Sequence, residues 1–413
     1  MTKFLRYQNQ RYLTFDDFTE QKLARGNRDR EYLLYVHIPF CEELCPYCSF
    51  NRYKFQEDRA RRYFAALRRE IKLYSERDFK CSGVYVGGGT PTVLPEELAE
   101  TLHLIRESFP VREVSVETNP NHLTDEIVTI LKQAGVNRLS VGVQSFDDSL
   151  LKSMERYHKY GSGAEMEANI KRYTGSFDTL NIDMIFNFPL QSLESLQRDL
   201  EIIKGIPADQ VTFYPLMVST ATEKIIKKTL GKVDYRREKL YYQEIFKQLE
   251  GDYRPGSAWC FSRQKAMIDE YIVDFDEYLG VGSGSFSYLN GKIMANTFSI
   301  EDYCDKLEHD QPAVAFCKDF SLIERMRYDF MIKLFGTSID MAEIRKRYGN
   351  LFAEGLWKEL ALFKGLKALK EDGNQLSLTP KGYYYWVIMM REFFIGVNNF
   401  RDICRDQVKG NKE

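Results

Sequence analysis

Long apolar runs are missing from this 413-residue chain. A transmembrane helix needs roughly 18 or more consecutive apolar residues, and no such run occurs. Residues Met1 to Arg30 are polar and charged, without the apolar centre of a secretory signal. Both absences predict a cytoplasmic protein. Excess charge is missing as well. The 58 Lys and Arg nearly balance the 60 Asp and Glu, leaving a formal net charge of −2. Such a chain has no bulk field for a nucleic-acid backbone, so no nucleic-acid partner is expected. Histidine is scarce, with 5 copies: His37, His103, His122, His158 and His309. Repeats and low-complexity tracts are absent. What the chain does have is core material, 44% hydrophobic and 14% aromatic, which excludes disorder for most of its length. At about 150 residues per domain, two or three domains fit, or one large barrel with an appendage.

From residue 32 to about 250 strand and helix patterns alternate. Short apolar runs predict strands over Tyr32–Ile38, Gly83–Val86, Glu113–Val116, Arg138–Val143, Leu180–Phe186 and Gln210–Tyr214. Helical spacing appears over Asp58–Glu76, Pro95–Ser108, Thr124–Ala134, Asp147–Met154, Ser192–Lys204 and Tyr235–Leu249. Pro95 sits at a helix start and Gly135 just past a helix end, as those residues prefer. Six β/α units in a row imply parallel strands with right-handed crossovers. The economical fold is an α/β partial (β/α)6 barrel, with its active site at the C-terminal ends of the strands. Residues 251–317 are less regular and contain the turn Gly280-Val281-Gly282-Ser283-Gly284. Helical patterns resume over Ser321–Phe335, Met341–Tyr348 and Leu356–Lys364. A polar hairpin follows over Leu366–Thr379, with Asp372-Gly373 as its turn. The expected organisation is an N-terminal extension over 1–30, the partial barrel over 31–250 and a barrel-closing segment over 251–317. A mostly helical, winged-helix-like domain over 318–413 completes it, read as a cap without a nucleic-acid role.

The chain has 8 cysteines, at positions 41, 45, 48, 81, 260, 304, 317 and 404. A disulfide framework does not suit so long a chain without a signal. Cys41, Cys45 and Cys48 form a Cys-x3-Cys-x2-Cys run just after the first strand. Three thiolates on one loop can hold three irons of a [4Fe–4S] cluster, leaving the fourth iron open to a small chelating molecule. The alternatives are a zinc site and buried apolar cysteines. Structural zinc usually takes four ligands, and no second Cys pair is present. Glu42 and Glu43 argue against simple apolar burial.

This spacing resembles that of the radical S-adenosylmethionine superfamily. Further segments narrow the resemblance: Tyr35-Val36-His37-Ile38-Pro39-Phe40-Cys41, Gly87-Gly88-Gly89-Thr90-Pro91-Thr92, Glu117-Thr118-Asn119-Pro120, Arg138–Phe146 and Asn181-Ile182-Asp183. They look like the branch containing oxygen-independent coproporphyrinogen III oxidase, its heme-chaperone relative and the methyltransferases that use two S-adenosylmethionine molecules. The resemblance implies a [4Fe–4S] cluster on Cys41, Cys45 and Cys48 and S-adenosylmethionine beside it. Positions matching Tyr35, Gly88 and Glu117 contact the cluster-bound molecule. Those matching Tyr47, Gly89, Thr90, Gln144, Arg156 and Asp183 contact a second one. The residue types suit these roles. Glycines after the second strand let backbone approach a ligand, the Glu117 carboxylate can accept hydrogen bonds from a ribose, and Arg156 can meet a carboxylate bidentately. The surface is the ordinary place for a lone helical arginine.

The chain also departs from its relatives. Phe50 stands where the oxidase continues its motif with a fourth cysteine. Met267-Ile268-Asp269-Glu270-Tyr271 lacks the histidine with which the chaperone ligates heme. Cys45–Arg52, Phe186-Asn187-Phe188-Pro189 and Phe394–Arg401 look most like menaquinone C8-methyltransferases. That resemblance implies menaquinone as substrate and a reduced flavodoxin- or ferredoxin-type electron donor. A heme-opening methyltransferase like anaerobilin synthase and a heme or cluster carrier are the competing readings. The aromatic stretch Tyr383–Phe394 suggests peripheral contact with a membrane interface, or else a helix packed on the barrel.

Overall fold

The computed structural model describes residues 14–18, 23–264 and 271–410. Its centre is six parallel strands: β1 (Tyr32–Ile38), β2 (Cys81–Gly88), β3 (Glu113–Thr118), β4 (Arg138–Gln144), β5 (Thr179–Phe186) and β6 (Gln210–Pro215). They pair in chain order, each with its predecessor. Between and after them lie the helices α1 (Glu57–Ser75), α2 (Pro95–Ser108), α3 (Asp125–Gln133), α4 (Gly163–Tyr173), α5 (Leu193–Lys204) and α6 (Tyr235–Leu249). Strands covered on both faces are apolar almost throughout, and β1 is buried at every position but Tyr35. The expected α/β partial barrel is therefore the observed architecture. It stays open: β6 pairs with the short antiparallel β7 (Cys260–Ser262), while β8 (Tyr278–Val281) lies parallel on the other side of β1. Antiparallel strands β9 (Phe286–Leu289), β10 (Lys292–Asn296) and β11 (Val314–Asp319) extend that edge.

Strand and helix ends differ from expectation where the residues are weak formers. The strand expected over Gly83–Val86 runs from Cys81 to Gly88, because β1 pairs with Cys81, Gly87 and Gly88 beyond the stretch that β3 pairs, supplying bonds that Gly does not favour by itself. The helix expected over Asp147–Met154 covers Asp148–Ser153, with the Asp147 side chain accepting from the Ser149 and Leu150 amides. Helix α4 was not expected, since it opens on Gly163. Its signal is the capping box Ser162/Glu165.

Beyond α7 (Ile300–Glu308) and α8 (Leu322–Phe335), short helices precede a hairpin, Leu369–Asp372 with Gln375–Leu378. Asp372 pairs with Gln375, so the two-residue turn is Gly373-Asn374, one residue later than expected. A third strand, Ser338–Asp340, completes the small sheet, giving the mostly helical C-terminal domain its wing.

The last helix, α9 (Pro380–Gly410), carries the aromatic stretch. Of the two expectations for this stretch, the packed helix is what the structure shows: Tyr383 and Tyr384 meet Phe246 and Tyr242 of α6, and five of its aromatics stay half-buried. Trp386 is fully buried against Phe330 and Phe363 and donates to Met331 O at 2.9 Å. Trp259 is buried between Phe335 and Phe394, a core role. Among the described residues no helix is long and apolar enough to cross a membrane. Residues 267–270 of the histidine-free segment lie outside the described residues.

Candidate functional site

Every residue singled out from the sequence lies at or just beyond the C-terminal ends of the strands. β1 delivers the chain to Cys41. There Phe40–Cys41 pairs in parallel with Tyr53–Lys54, closing the cysteine loop at its neck. Arg52 pins the loop from within, donating to Cys45 O and to Cys48 O at 2.7 Å. All three thiols lie in electrostatic reach of this guanidinium. Burial pushes the Cys41 thiol up to about 12, with the neighbouring Cys48 adding to the effect. Metal binding would reverse that by displacing the protons. Among the described residues no three His, Cys, Asp or Glu side chains could hold a single metal ion. Three thiols on one short loop are the donor set of a cluster in which each holds one iron.

His37, on β1, sets the floor. Its Nε2 lies 2.8 Å from Asn51 O and its Nδ1 lies 2.9 Å from the Tyr35 hydroxyl. A carbonyl only accepts, so Nε2 carries the proton and Tyr35 donates to Nδ1. Burial drives the imidazole pKa down to about 4, so the ring is neutral. Both ring nitrogens are engaged by the protein's own Asn51 and Tyr35, a structural role. Gly88 has φ +120, and a Cβ there would sit 2.6 Å from the His37 ring. Only glycine lets β2 pass this close.

Glu117, at the end of β3, accepts from the Gly88 amide at 3.0 Å and from the Tyr85 hydroxyl at 2.9 Å. Thr90 receives the Asn119 amide at 2.7 Å. Gly89 donates to Ile38 O at 2.7 Å, locking the glycine segment to β1. Gln144 ends β4 in a left-handed conformation, φ +77, beside a register shift against β5. Asp183 accepts from Ser140 and Asn181, each at 2.7 Å. Tyr35, Gly88, Gly89, Glu117, Gln144, Asp183, Cys41 and Cys48 are all partly exposed, so solvent reaches the space they share.

Arg156 departs from the surface habit of lone arginines. It is buried, stacked 4.1 Å over Tyr160, and donates to Gly142 O, to Asn119 Oδ1 at 3.4 Å and to Tyr47 Oη at 3.4 Å. Its Nη1 lies 3.7 Å from Cys45 Sγ. Tyr47 in turn packs edge-on against Phe188, 5.6 Å away. The structure thus brings Tyr47, Thr90, Gln144 and Arg156 to the same side of the cysteine loop.

The turn Gly280–Gly284 closes the opposite side. Gly282, at φ +98, would place a Cβ 2.5 Å from His37 O. Its amide donates to Glu70 Oε2 at 2.7 Å, and Glu70 also accepts from Tyr303 at 2.6 Å and Asn296 at 2.7 Å. Sequence reasoning missed Glu70, Asn51 and Arg401, which touch the site only through long-range packing. Asn51 and Arg401 did lie in segments already marked as unusual. Buried polar atoms without partners near the site include Asn51 Oδ1, Arg52 Nη1, Arg156 Nε and Arg401 Nε, and others lie elsewhere, on Arg59, Arg77, Arg237 and Glu277 among them. Unpaired buried groups of this kind are rare in folded chains, and those on Arg52 and Arg156, whose side chains touch the cysteine loop, fit a site built for a polar, charged group.

Residues 35–203 match the family model of the Radical SAM superfamily. The heme chaperone HemW of Mycobacterium tuberculosis (strain ATCC 25618 / H37Rv) is 34% identical over 369 residues, covering 84% of this chain and 91% of that protein. The anaerobilin synthase of Escherichia coli O157:H7 is 29% identical over 296 residues, covering 66% and 64%. Among solved structures, coproporphyrinogen III oxidase (HemN) from Escherichia coli superposes with a TM-score of 0.78 at 24% identity, covering 92% of this chain and 95% of that one.

Proposed function

We propose that this chain, which belongs to the radical SAM superfamily in its coproporphyrinogen-oxidase and heme-chaperone branch, acts with its [4Fe–4S] cluster and S-adenosylmethionine on a tetrapyrrole. The observation that carries this reading is the gathering of Cys41, Cys45 and Cys48 with Glu117 and the buried Arg156 at one set of strand ends. When bound, the cluster supplies the electron that cleaves S-adenosylmethionine, opening radical chemistry at unactivated carbon. The chain's own residues position and exclude. Cys41, Cys45 and Cys48 would hold the irons. Gly88 and Gly89 offer backbone, and Glu117 offers a carboxylate to a ribose. Arg156, with Gln144 and Asp183 nearby, supplies a cation for a second carboxylate-bearing molecule. Tyr47, Tyr160 and Phe188 wall water from the reacting carbons.

The substrate class rests on the relatives, whose names carry heme, anaerobilin and coproporphyrinogen. Their common chemistry is the tetrapyrrole. None carries a quinone, so naphthoquinone methylation is the second reading. One observation favours it: two of the three segments behind that resemblance, Cys45–Arg52 and Phe394–Arg401, are in contact. Asn398 donates to Ser49 Oγ and Arg401 to Ser49 O, each at 2.7 Å, and Phe50 lies beneath Arg401.

Anaerobic incubation with S-adenosylmethionine, dithionite and heme, coproporphyrinogen or menaquinone separates the readings. A tetrapyrrole is expected to be altered, with release of 5′-deoxyadenosine. A quinone heavier by one methylene, with heme and coproporphyrinogen untouched, selects the second. Cys45→Ala should lose iron from about four per chain to near none. Arg156→Ala should keep its iron while losing turnover about 100-fold or more. Full iron in the Cys45→Ala protein sinks the cluster assignment.

A further inference from the structure

The C-terminal helix reaches the cysteine loop, and no family expectation placed any of its residues there. Arg401 is only 6% exposed. Its Nη1 donates to Ser49 O at 2.7 Å and to Asn398 Oδ1 at 2.8 Å. Asn398 itself donates to Ser49 Oγ at 2.7 Å. The Nε of Arg401 has no partner. Among the described residues no carboxylate lies within ion-pair distance of it. Neighbouring Asp402 is turned instead toward the Ser219 hydroxyl at 2.8 Å. Cys48 and Tyr35 lie within electrostatic reach of the guanidinium, and the Phe50 ring sits 5.6 Å beneath it.

A buried guanidinium without a counter-ion is costly and is retained only where something compensates it. Asp402 acts on this charge only from a distance, so the fold sets beside the thiols a cation with no side chain ion-paired to it. The anion of the proposed function is the cluster on its three thiolates, which gains one further negative charge on reduction. A fixed positive charge in a poorly solvated site stabilises that extra charge, and charge and hydrogen bonding around the thiolates set such potentials. We propose that Arg401 is a further counter-charge of the cluster beside Arg52 and Arg156, carried in by the C-terminal helix, and that it makes the cluster easier to reduce. The step is a one-electron reduction by an external donor, with no bond made or broken. The proposal rests on the cluster reading above.

The test uses the full-length protein, reconstituted with iron and sulfide without oxygen and titrated with dithionite under electron paramagnetic resonance, with S-adenosylmethionine left out. Arg401→Gln is expected to bind iron as the parent does and to shift the midpoint to a more negative potential. Arg401→Lys should stay close to the parent. Asn398→Ala, which cuts the Ser49 tie but keeps the charge, should leave the midpoint in place. An unmoved midpoint in Arg401→Gln overturns the proposal, and so does an equal shift in Asn398→Ala. Should Arg401→Gln take up no iron, the apolar Arg401→Met decides in its place. Loss of iron in both replaces the counter-charge with a purely structural tie. A parent protein without a reducible cluster would instead break the cluster reading itself.

Discussion

Two buried arginines on the last helix invite comparison. Arg391 is fully surrounded: it meets the carboxylates of Glu238 and Glu392 and stacks 4.3 Å over Tyr235. Arg401, ten residues on, meets only carbonyl oxygens and keeps one nitrogen without a partner. The same side chain at the same depth thus serves two ends. Arg391 joins the helix to α6 with its charge answered inside the protein. Arg401 keeps its charge available beside the thiols. Satisfaction of hydrogen bonds, more than burial or residue type, separates the arginine that holds the fold from the one that serves the site.

The sharpest way to break this comparison is to remove Arg391. Glu238 and Glu392 are both fully buried, and losing the cation strands two carboxylates. Arg391→Met should cost about 3–5 kcal/mol of stability, read as a fall in the denaturant midpoint. Arg401→Gln should cost less, about 1–2 kcal/mol for its lost hydrogen bonds. A larger loss at 401 than at 391 would invert the assignment.

A second test uses a buried charge with no cation at all. Glu70 accepts from Tyr303, Gly282 and Asn296, yet burial outweighs these bonds and raises its pKa from 4.5 to about 7. The folded state holds this proton more tightly than the unfolded chain. The stability so gained is complete below the unfolded pKa and is lost as pH rises through about 7. Thermal unfolding followed across that interval should show the decline, and Glu70→Gln should flatten it. Glutamine keeps one acceptor oxygen for the three donors Gly282, Asn296 and Tyr303, so at least one of them then faces an NH2 group and the same variant should lose about 1–3 kcal/mol at low pH.

The smallest effect is expected at Asn398→Ala, about 1 kcal/mol for its two hydrogen bonds, one given to Ser49 and one accepted from Arg401. A loss as large as that of Arg391→Met would show that the Ser49 contact carries the fold rather than the site.

Much of this molecule was legible in its sequence. The six strands announced themselves as apolar runs because parallel strands are covered on both faces. The residues at their ends came from short segments whose chemistry is local, such as Gly87-Gly88-Gly89 and Cys41–Cys48. Helix α4 escaped because its start is a glycine, and only the paired Ser162 and Glu165 mark it. Arg156 reads as a surface residue until Tyr160, Asn119 and Gly142 are folded around it. Arg401 and Glu70 act across more than 200 residues of chain, and no periodicity carries that information. The aromatic stretch Tyr383–Phe394 shows the opposite failure. Its composition left a membrane interface and a packed helix both open, and only the contacts with α6 show the packing.

The tie between Ser49 and Arg401 spans 352 positions of sequence. On the ribosome, where chains grow at roughly 5–20 residues per second, the cysteine loop is made about 20 to 70 seconds before the residue that covers it. Through that interval the thiols stand at the edge of an unfinished protein, with the strands beside them still being added. Biogenesis therefore has a window for delivering iron and sulfide before the final helix docks, and its length is set by the clock of translation.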